Sequence, residues 1–215
     1  MIFSIPETDD DLEFDKRVLS NMLWARELLP EQTFPFPAAS DTDAVARHTH
    51  QLILGTGDEY APMMSYIDPD EKLRALVGLS GGWVDIECDG KELLHRQMFV
   101  ALAPFTSCLE EVATVVLTTD AWIRDPKADM EVVAEALMTY TIRPGSISIT
   151  EQEYERDAFG IPQYEPSKPV TGVSGRTLEA FASAMAMRAT TTETIPLSTA
   201  LYVLAGNNYQ VMVTT

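Results

Sequence analysis

The clearest pattern of hydrophobic and polar positions lies between residues 112 and 142, where two apolar stretches flank a polar one. Residues 112–119 are β-branched or apolar on both alternating faces, which is typical of a strand covered on both sides of a sheet. Residues 135–142 alternate more regularly between apolar and polar positions. Residues 120–126 predict a polar and aromatic connection between the two strands. We therefore expect this pair of strands to form the centre of a sheet.

Helical spacing of apolar residues predicts two helices near the N-terminus. The first starts after Thr8, where three aspartates stabilise the amides of the first turn, and extends to residue 29 before a proline. The second spans residues 42–54 and ends at a glycine. Ser40 and Asp43 resemble a capping box at its start.

The remaining elements are predicted from shorter signals. Residues 70–79 fit either a helix or a strand, because a helix-start sequence precedes alternating apolar residues. The other predicted elements are a strand at 83–88, a helix at 91–103, a short strand at 146–150, a helix at 174–189 and a terminal hairpin of 199–204 with 209–214. Residues 151–173 contain three prolines without a regular period and predict a long loop or linker.

This order of elements favours an α+β fold, with helices packed on a mixed β-sheet as a two-layer sandwich. The length of 215 residues suits one domain that spans residues 1–215. Apolar residues make up 46% of the chain, which is enough to bury a sizeable core.

The net charge of −18 narrows the range of partners. Affinity for nucleic acids comes largely from Lys and Arg side chains that neutralise phosphates, so we expect no nucleic-acid partner. The charge is uneven, because residues 160–215 carry three acidic and three basic side chains and no net charge. That neutral quarter is expected to be either shielded within the fold or an association surface.

The chain also lacks the features of exported and membrane proteins. No apolar run reaches 18 residues, so we expect no membrane span, and the N-terminus has no basic segment before its apolar residues. The two cysteines are too few for a disulfide framework and are expected to stay reduced in the cytoplasm.

The acidic residues Asp85, Asp120 and Asp125 are the candidate catalytic residues. If strand 83–88 neighbours strand 112–121, their carboxylates converge, and paired carboxylates can hold Mg²⁺ or transfer protons. The opposing interpretation places Asp85 on a solvated strand face and makes Asp125 the start of a turn. Trp122 is a candidate for stacking on a ligand, or else an anchor at the edge of the core.

We also considered a zinc site among the imidazoles and thiols. Their spacing matches no known ligand pattern, so we expect neither a metal nor another cofactor. The residues considered are His48, His50, Cys88, His95 and Cys108.

A short motif gives the chain its one resemblance to other proteins. The strand ending in TDAW, the Asp125–Pro126 connection and the following EAL segment resemble uncharacterised proteins of bacteria and phages. The resemblance covers residues 114–142. It implies no activity, and it favours an accessory protein encoded by a phage or another mobile element.

Three hypotheses for function follow. The chain contains no Walker loop, GxGxxG, GxSxG, HExxH or paired CxxC motif, which favours a non-enzymatic binding, assembly or accessory protein. The second hypothesis is a small metal-assisted enzyme that uses the acidic residues around Asp120. The third is an acidic mimic of DNA, which requires carboxylates arranged in rows on one surface.

The predicted terminal strand is the candidate for self-association or partner binding. Tyr209, Val211 and Val213 share one face, and neither lysine nor proline blunts the strand, so it is suited to pair with another chain. The alternative is that this strand lies inside its own sheet.

The net charge yields a direct prediction for nucleic acids. We expect the protein to leave duplex and single-stranded DNA unshifted at physiological salt, where non-specific binders have Kd values of about 10⁻⁴–10⁻⁶ M. An electrophoretic mobility-shift titration measures this. Micromolar binding that weakens steeply with salt would contradict the prediction.

Overall fold

The structure is a computed structural model that describes residues 9–24, 37–38, 40–54, 62–78, 109–125, 131–144, 146–170 and 194–214. The helices in this part of the chain are α1 (Asp9–Asn21), α2 (Thr42–Leu54) and α3 (Leu197–Gly206). The strands are β1 (Met22–Trp24), β2 (Met63–Ile67), β3 (Leu73–Gly78), β4 (Thr114–Asp125), β5 (Glu131–Arg143), β6 (Ser146–Arg156), β7 (Pro162–Tyr164), β8 (Lys168–Pro169) and β9 (Gln210–Val213).

All nine of these strands belong to one sheet, in the order β1-β9-β3-β2-β4-β5-β6-β7. β6 pairs with β5 along one side, and both β7 and β8 pair with β6 along its other side. Neighbouring strands are antiparallel except β1 and β9, which are parallel. The predicted α+β class with a mixed sheet is confirmed.

Helices cover both faces of the sheet. Val115 and Leu117 of β4 point to one face, where they join a core that includes residues of α1 and α3. Val116, between them, points to the opposite face and packs with Val45 and Ala46 of α2. The predicted two-layer arrangement is therefore incomplete, because α2 adds a third layer.

Contacts between α1 and α3 fix the pair on the first face. The Phe14 ring packs against Gly206, where an added Cβ would lie 2.0 Å from the Phe14 Cζ atom, so a larger residue would displace the ring. Arg17 Nε donates to the Gly206 carbonyl at 2.8 Å, and Asn21 Nδ2 donates to the Ala205 carbonyl at 3.0 Å. These side chains satisfy carbonyls that a helix C-terminus leaves without intrahelical partners.

The central strands agree with the sequence pattern, but the connection between them does not. β4 continues through residues 120–125 and pairs with β5 as far as Asp125 and Glu131, with an irregularity between Ile123 and Arg124. The prediction of a loop at residues 120–126 is therefore wrong for residues 120–125. Cross-strand hydrogen bonds outweighed the polar composition that suggested a loop.

The predicted loop at residues 151–173 is also wrong for its described part. β6 continues to Arg156, and β7 and β8 follow within the segment. Pro162 and Pro169 lie in strands at the sheet edge, where a missing backbone N–H is tolerated. Prolines therefore marked the edge of the sheet here and not the end of regular structure.

At the N-terminus, α1 ends at Asn21, and Met22 begins β1. The predicted helix to residue 29 is therefore too long, because residues 22–24 pair with β9.

The predicted helix at 42–54 is confirmed as α2, but its first turn is capped by Asp41, whose Oδ1 accepts the Ala44 N–H at 2.9 Å. The open choice at residues 70–79 is resolved as strand β3.

The hairpin predicted at the C-terminus is wrong, because its first strand is a helix in the structure. Residues 199–204 lie in α3, whose buried positions recur at helical spacing: Leu197, Ala200, Leu201, Leu204 and Ala205. β9 lies between β1 and β3 and pairs with both. The proposed association edge of Tyr209, Val211 and Val213 is therefore not an edge, and Val211 is fully buried.

The strand predicted at 83–88 and the helices predicted at 91–103 and 174–189 lie outside the described residues.

The interior position of β9 predicts the effect of a charge at its centre. Val211→Lys is expected to lower the free energy of unfolding by about 3–5 kcal/mol, because it buries an unpaired ammonium group. Gln210→Lys, at the exposed neighbouring position, is the matched control and is expected to stay within about 0.5 kcal/mol of wild type. Chemical denaturation measures both. A Val211→Lys protein as stable as the control would contradict the interior assignment.

Candidate functional site

The structure describes the strand that carries two of the three acidic residues predicted as catalytic. Asp120 and Asp125 lie on the same strand, and five residue steps along it separate their Cα atoms by about 17 Å. Asp85 lies outside the described residues. Trp122 is on β4 opposite Glu135, so the backbone places it in the sheet rather than in a loop.

Asp120 is part of a half-buried polar contact on the face of the sheet that carries α2. The Tyr154 hydroxyl donates to Asp120 Oδ1 at 2.8 Å. Burial raises the pKa of Asp120, and the nearby Glu135 carboxylate raises it further, while the Tyr154 hydrogen bond opposes both. The pKa of Tyr154 is raised chiefly by burial, so its hydroxyl keeps the proton that it donates.

Arg156 covers the outer side of this contact. Its Nε donates to Glu135 Oε2 at 3.0 Å, and its Nη2 donates to the Tyr154 hydroxyl at 3.4 Å. The guanidinium carbon also lies 5.7 Å from the centre of the Tyr154 ring, within the range of a cation–π contact. Arg156 thus forms an ion pair with Glu135 and also contacts Tyr154, which in turn donates to the Asp120 carboxylate.

Three aromatic rings connect α2 to this part of the sheet. His50 of α2 lies with its ring centre 5.0 Å from that of Tyr154 and 5.8 Å from that of Tyr164. The two tyrosine rings are 5.7 Å apart. These distances and the tilted ring planes are those of favourable aromatic pairs. We call His50, Tyr154 and Tyr164 the aromatic cluster.

His50 also makes a polar contact within the aromatic cluster. Its Nδ1 lies 2.6 Å from the Tyr164 hydroxyl oxygen. Burial lowers the pKa of His50 to about 4, and the positive charge of Arg156 adds to this effect. The imidazole is therefore neutral at pH 7, which suits its position between α2 and the sheet.

Two further side-chain contacts fix α2 on β6. Thr150 Oγ1 donates to Asp43 Oδ1 at 2.7 Å, and Arg47 Nη1 donates to Gln152 Oε1 at 3.2 Å. Gln152 is buried, and its Nε2 donates to the Glu165 carbonyl at 3.2 Å, so both ends of its amide are paired. These bonds remove the penalty for burying a polar amide.

Helix and strand spacing explain why these contacts occur together. Residues 43, 47 and 50 of α2 lie on one stripe of the helix, and steps of four and three residues rise by about 6 and 4.5 Å. Residues 150, 152 and 154 share one face of β6, at steps of about 6.8 Å. The two spacings are close enough for three successive pairs to form.

An open groove lies beside the aromatic cluster, between α2 and β7. Its volume is about 480 Å³. Arg47, His48 and Gln51 line it from the helix, and Pro162, Gln163 and Tyr164 line it from the strand. Tyr164 is shared by both features, because it lines the groove and its hydroxyl contacts His50.

The described residues contain no group of three His, Cys, Asp or Glu side chains that could hold a metal ion. Of the zinc candidates, His48 lines the groove and His50 is buried in the aromatic cluster, while Cys88, His95 and Cys108 lie outside the described residues.

Sequence reasoning missed the aromatic cluster and Arg47. His50 follows Val45, Ala46 and Thr49 on the buried stripe of α2, which is a signal that its ring faces the sheet. Its tyrosine partners are more than 100 residues away along the chain and belong to a segment predicted as a loop. Only the strand pairing brings them to the helix.

Comparison with known proteins adds no assignment, because no protein-family model, curated protein or solved structure matches this chain. Within the described residues, none of the helices combines the length and apolar character needed to cross a bilayer.

The buried neutral His50 predicts a pH dependence of stability. Because its pKa falls from 6.5 to about 4 on folding, its contribution is fully present above pH 6.5 and is lost as the pH falls toward 4. The difference in free energy of unfolding between wild type and His50→Gln should therefore shrink by about 3 kcal/mol between pH 7 and pH 4. Urea denaturation at several pH values measures it.

Tyr164→Phe serves as the control, because it removes the hydroxyl that contacts His50 without removing the titrating imidazole. It should lower stability at pH 7 yet keep most of the wild-type change with pH. Parallel pH curves for wild type and His50→Gln would show that His50 is not the titrating group.

Proposed function

We propose that this chain is a non-enzymatic binding or assembly protein that acts in the cytoplasm and docks on a protein partner. The surface that supports this is the end of the sheet where β6 finishes and β5 and β7 begin. It exposes four large apolar side chains, which we call the apolar end: Val132, Val133, Phe159 and Ile161.

Topology places these residues at one end of the sheet, with Val132 and Val133 as successive residues of β5. Glu135 of β5 pairs with Tyr154 of β6, so the first residues of β5 lie beside the last residues of β6. The turn from β6 to β7 follows directly and carries Phe159 and Ile161. Single exposed apolar residues are ordinary, whereas neighbouring ones such as Phe159 and Ile161 in one turn are typical of interaction surfaces.

The order of the turn that carries Phe159 is the observation on which the proposal depends. Phe159 is 88% exposed, yet Asp157 Oδ1 accepts its backbone N–H at 2.8 Å and that of Ile161 at 2.9 Å. The Asp157 N–H donates to the Ile161 carbonyl at 3.0 Å, and Gly160 provides the positive φ of 79° that the turn requires. An exposed aromatic ring on a pre-ordered backbone loses less entropy on binding.

Charge favours a different protein over a second copy as the partner. Two copies that each carry −18 repel one another, whereas a partner with basic groups around an apolar pocket is attracted to the same surface. An aromatic side chain inserted in such a pocket is a common centre of binding energy. We therefore infer a partner with a basic rim and an apolar pocket that receives Phe159.

A photo-crosslinking experiment tests the docking surface. In the organism that encodes the protein, Phe159 is replaced by p-benzoylphenylalanine, and in a parallel strain Leu19 is replaced in the same way. Leu19 is the matched control, because it is a highly exposed apolar residue on α1, away from the apolar end. One protein is expected to crosslink from position 159 and not from position 19.

The captured protein is then purified and titrated with the full chain by calorimetry. Phe159→Ser is expected to weaken binding at least about tenfold, whereas Leu19→Ser should leave Kd unchanged. Equal crosslinking from both positions, or a Phe159→Ser protein that binds as tightly as wild type, would refute the proposed surface.

A further inference from the structure

The groove between α2 and β7 has the size of a site for a small organic molecule. Its volume of about 480 Å³ falls within the usual range for ligand pockets, about 300–1,000 Å³. One wall is a face of α2, on which residues 44, 47, 48 and 51 recur at helical spacing. The other wall is β7, where Pro162 is buried, Gln163 is exposed and Tyr164 is half-buried.

The lining of the groove differs in charge from the chain as a whole. The protein carries 33 acidic side chains, yet none of the lining residues is acidic. Arg47 supplies a permanent positive charge there, and Gln51 and Gln163 supply amide donors. Burial lowers the pKa of His48, so its imidazole is neutral at pH 7 and contributes no second charge.

Arg47 is held in a way that suits recognition of an anion. Its Nη1 donates to Gln152 Oε1 at 3.2 Å, which anchors one corner of the guanidinium. A guanidinium has five N–H donors in a planar fork that matches a carboxylate or phosphate, and such charge-assisted bonds are strong. The anchoring bond uses one of these donors and restricts the side chain before a ligand arrives.

Tyr164 also lines the groove, and contacts within the protein fix its ring. Its hydroxyl oxygen lies 2.6 Å from His50 Nδ1, and its ring packs against Tyr154. A planar group on the ligand can lie against a ring fixed at its far end, and fixing the ring in advance lowers the cost of binding. An inorganic ion would use neither this wall nor the available volume.

We propose that the groove between α2 and β7 binds a small organic anion, whose carboxylate or phosphate group pairs with Arg47 and whose planar apolar part lies against Tyr164. The acidic surface of the rest of the chain repels polyanions, so the site selects a molecule with one or two charges. This site does not depend on the apolar end or on its partner.

A titration followed by NMR of the ¹⁵N-labelled full chain tests the proposal with four matched probes. Benzoate and phenyl phosphate carry the two candidate anions, benzamide is the uncharged counterpart, and benzylamine reverses the charge. Benzoate, phenyl phosphate or both should shift the backbone amides of Gln51, Gln163 and Tyr164 with Kd of about 1–10 mM, and the preferred probe identifies a carboxylate or a phosphate site. Benzamide and benzylamine should bind at least about tenfold more weakly.

Gln163→Glu places a carboxylate in the groove at an exposed position and leaves the bond between Arg47 and Gln152 untouched. It should weaken anion binding at least about tenfold while the melting temperature stays that of wild type. Gln210→Glu, on the exposed side of β9, is the control and should bind like wild type. Absence of anion-dependent shifts at 20 mM, equal binding of benzamide or benzylamine, or unchanged affinity in Gln163→Glu would overturn the proposal.

Discussion

β4 and β5 pair over eleven positions, from Val115 with Ile142 to Asp125 with Glu131, and both cores of the protein are built on this pair. Successive side chains of a strand point to opposite faces, so one stretch of β4 serves both cores. Val115 and Leu117 face α1 and α3, and Val116 faces α2. A shift of the pairing by one residue would exchange the two sets and separate every helix from its contacts.

The attachment of α2 depends on polar contacts as well as on apolar packing. Apolar burial is not directional, so Val45 and Ala46 alone would allow the helix to slide or rotate on the sheet. The bonds from Asp43 and Arg47 to β6, and the contact of His50 with Tyr164, define one position along the strands. These polar groups add specificity because each has a partner, and the width of the groove beside α2 follows from that position.

The apolar end and the groove both differ from the acidic surface of the rest of the chain, and hydrogen bonds fix the structure at both places. At the apolar end, an aspartate-capped turn holds Phe159 exposed, which concentrates apolar contact at one point. In the groove, Arg47 is fixed by Gln152 and stands among residues without negative charge. In both cases the surrounding backbone is ordered before binding, which is the condition under which few contacts give useful affinity.

The sequence by itself determined the elements whose signals are local. The apolar spacing of α2 and the β-branched run that opens β4 predict their structures, because the period of side chains along a helix or a strand is set by backbone geometry. The overall acidity and the α+β class also follow from the sequence alone. Of the site, only the stripe that turns His50 toward the sheet could be recognised there.

The tertiary structure decided whatever depends on partners far along the chain. Residues 120–125 and 151–156 are polar enough to form loops, yet β5 and its neighbours supply the hydrogen bonds that make them strands. Residues 197–206 are apolar at nearly every position, so a local period does not separate strand from helix, and packing against α1 selects α3. The aromatic cluster joins residues 50, 154 and 164, which no local pattern connects, because contact between distant segments arises only when the sheet pairs and α2 docks on it.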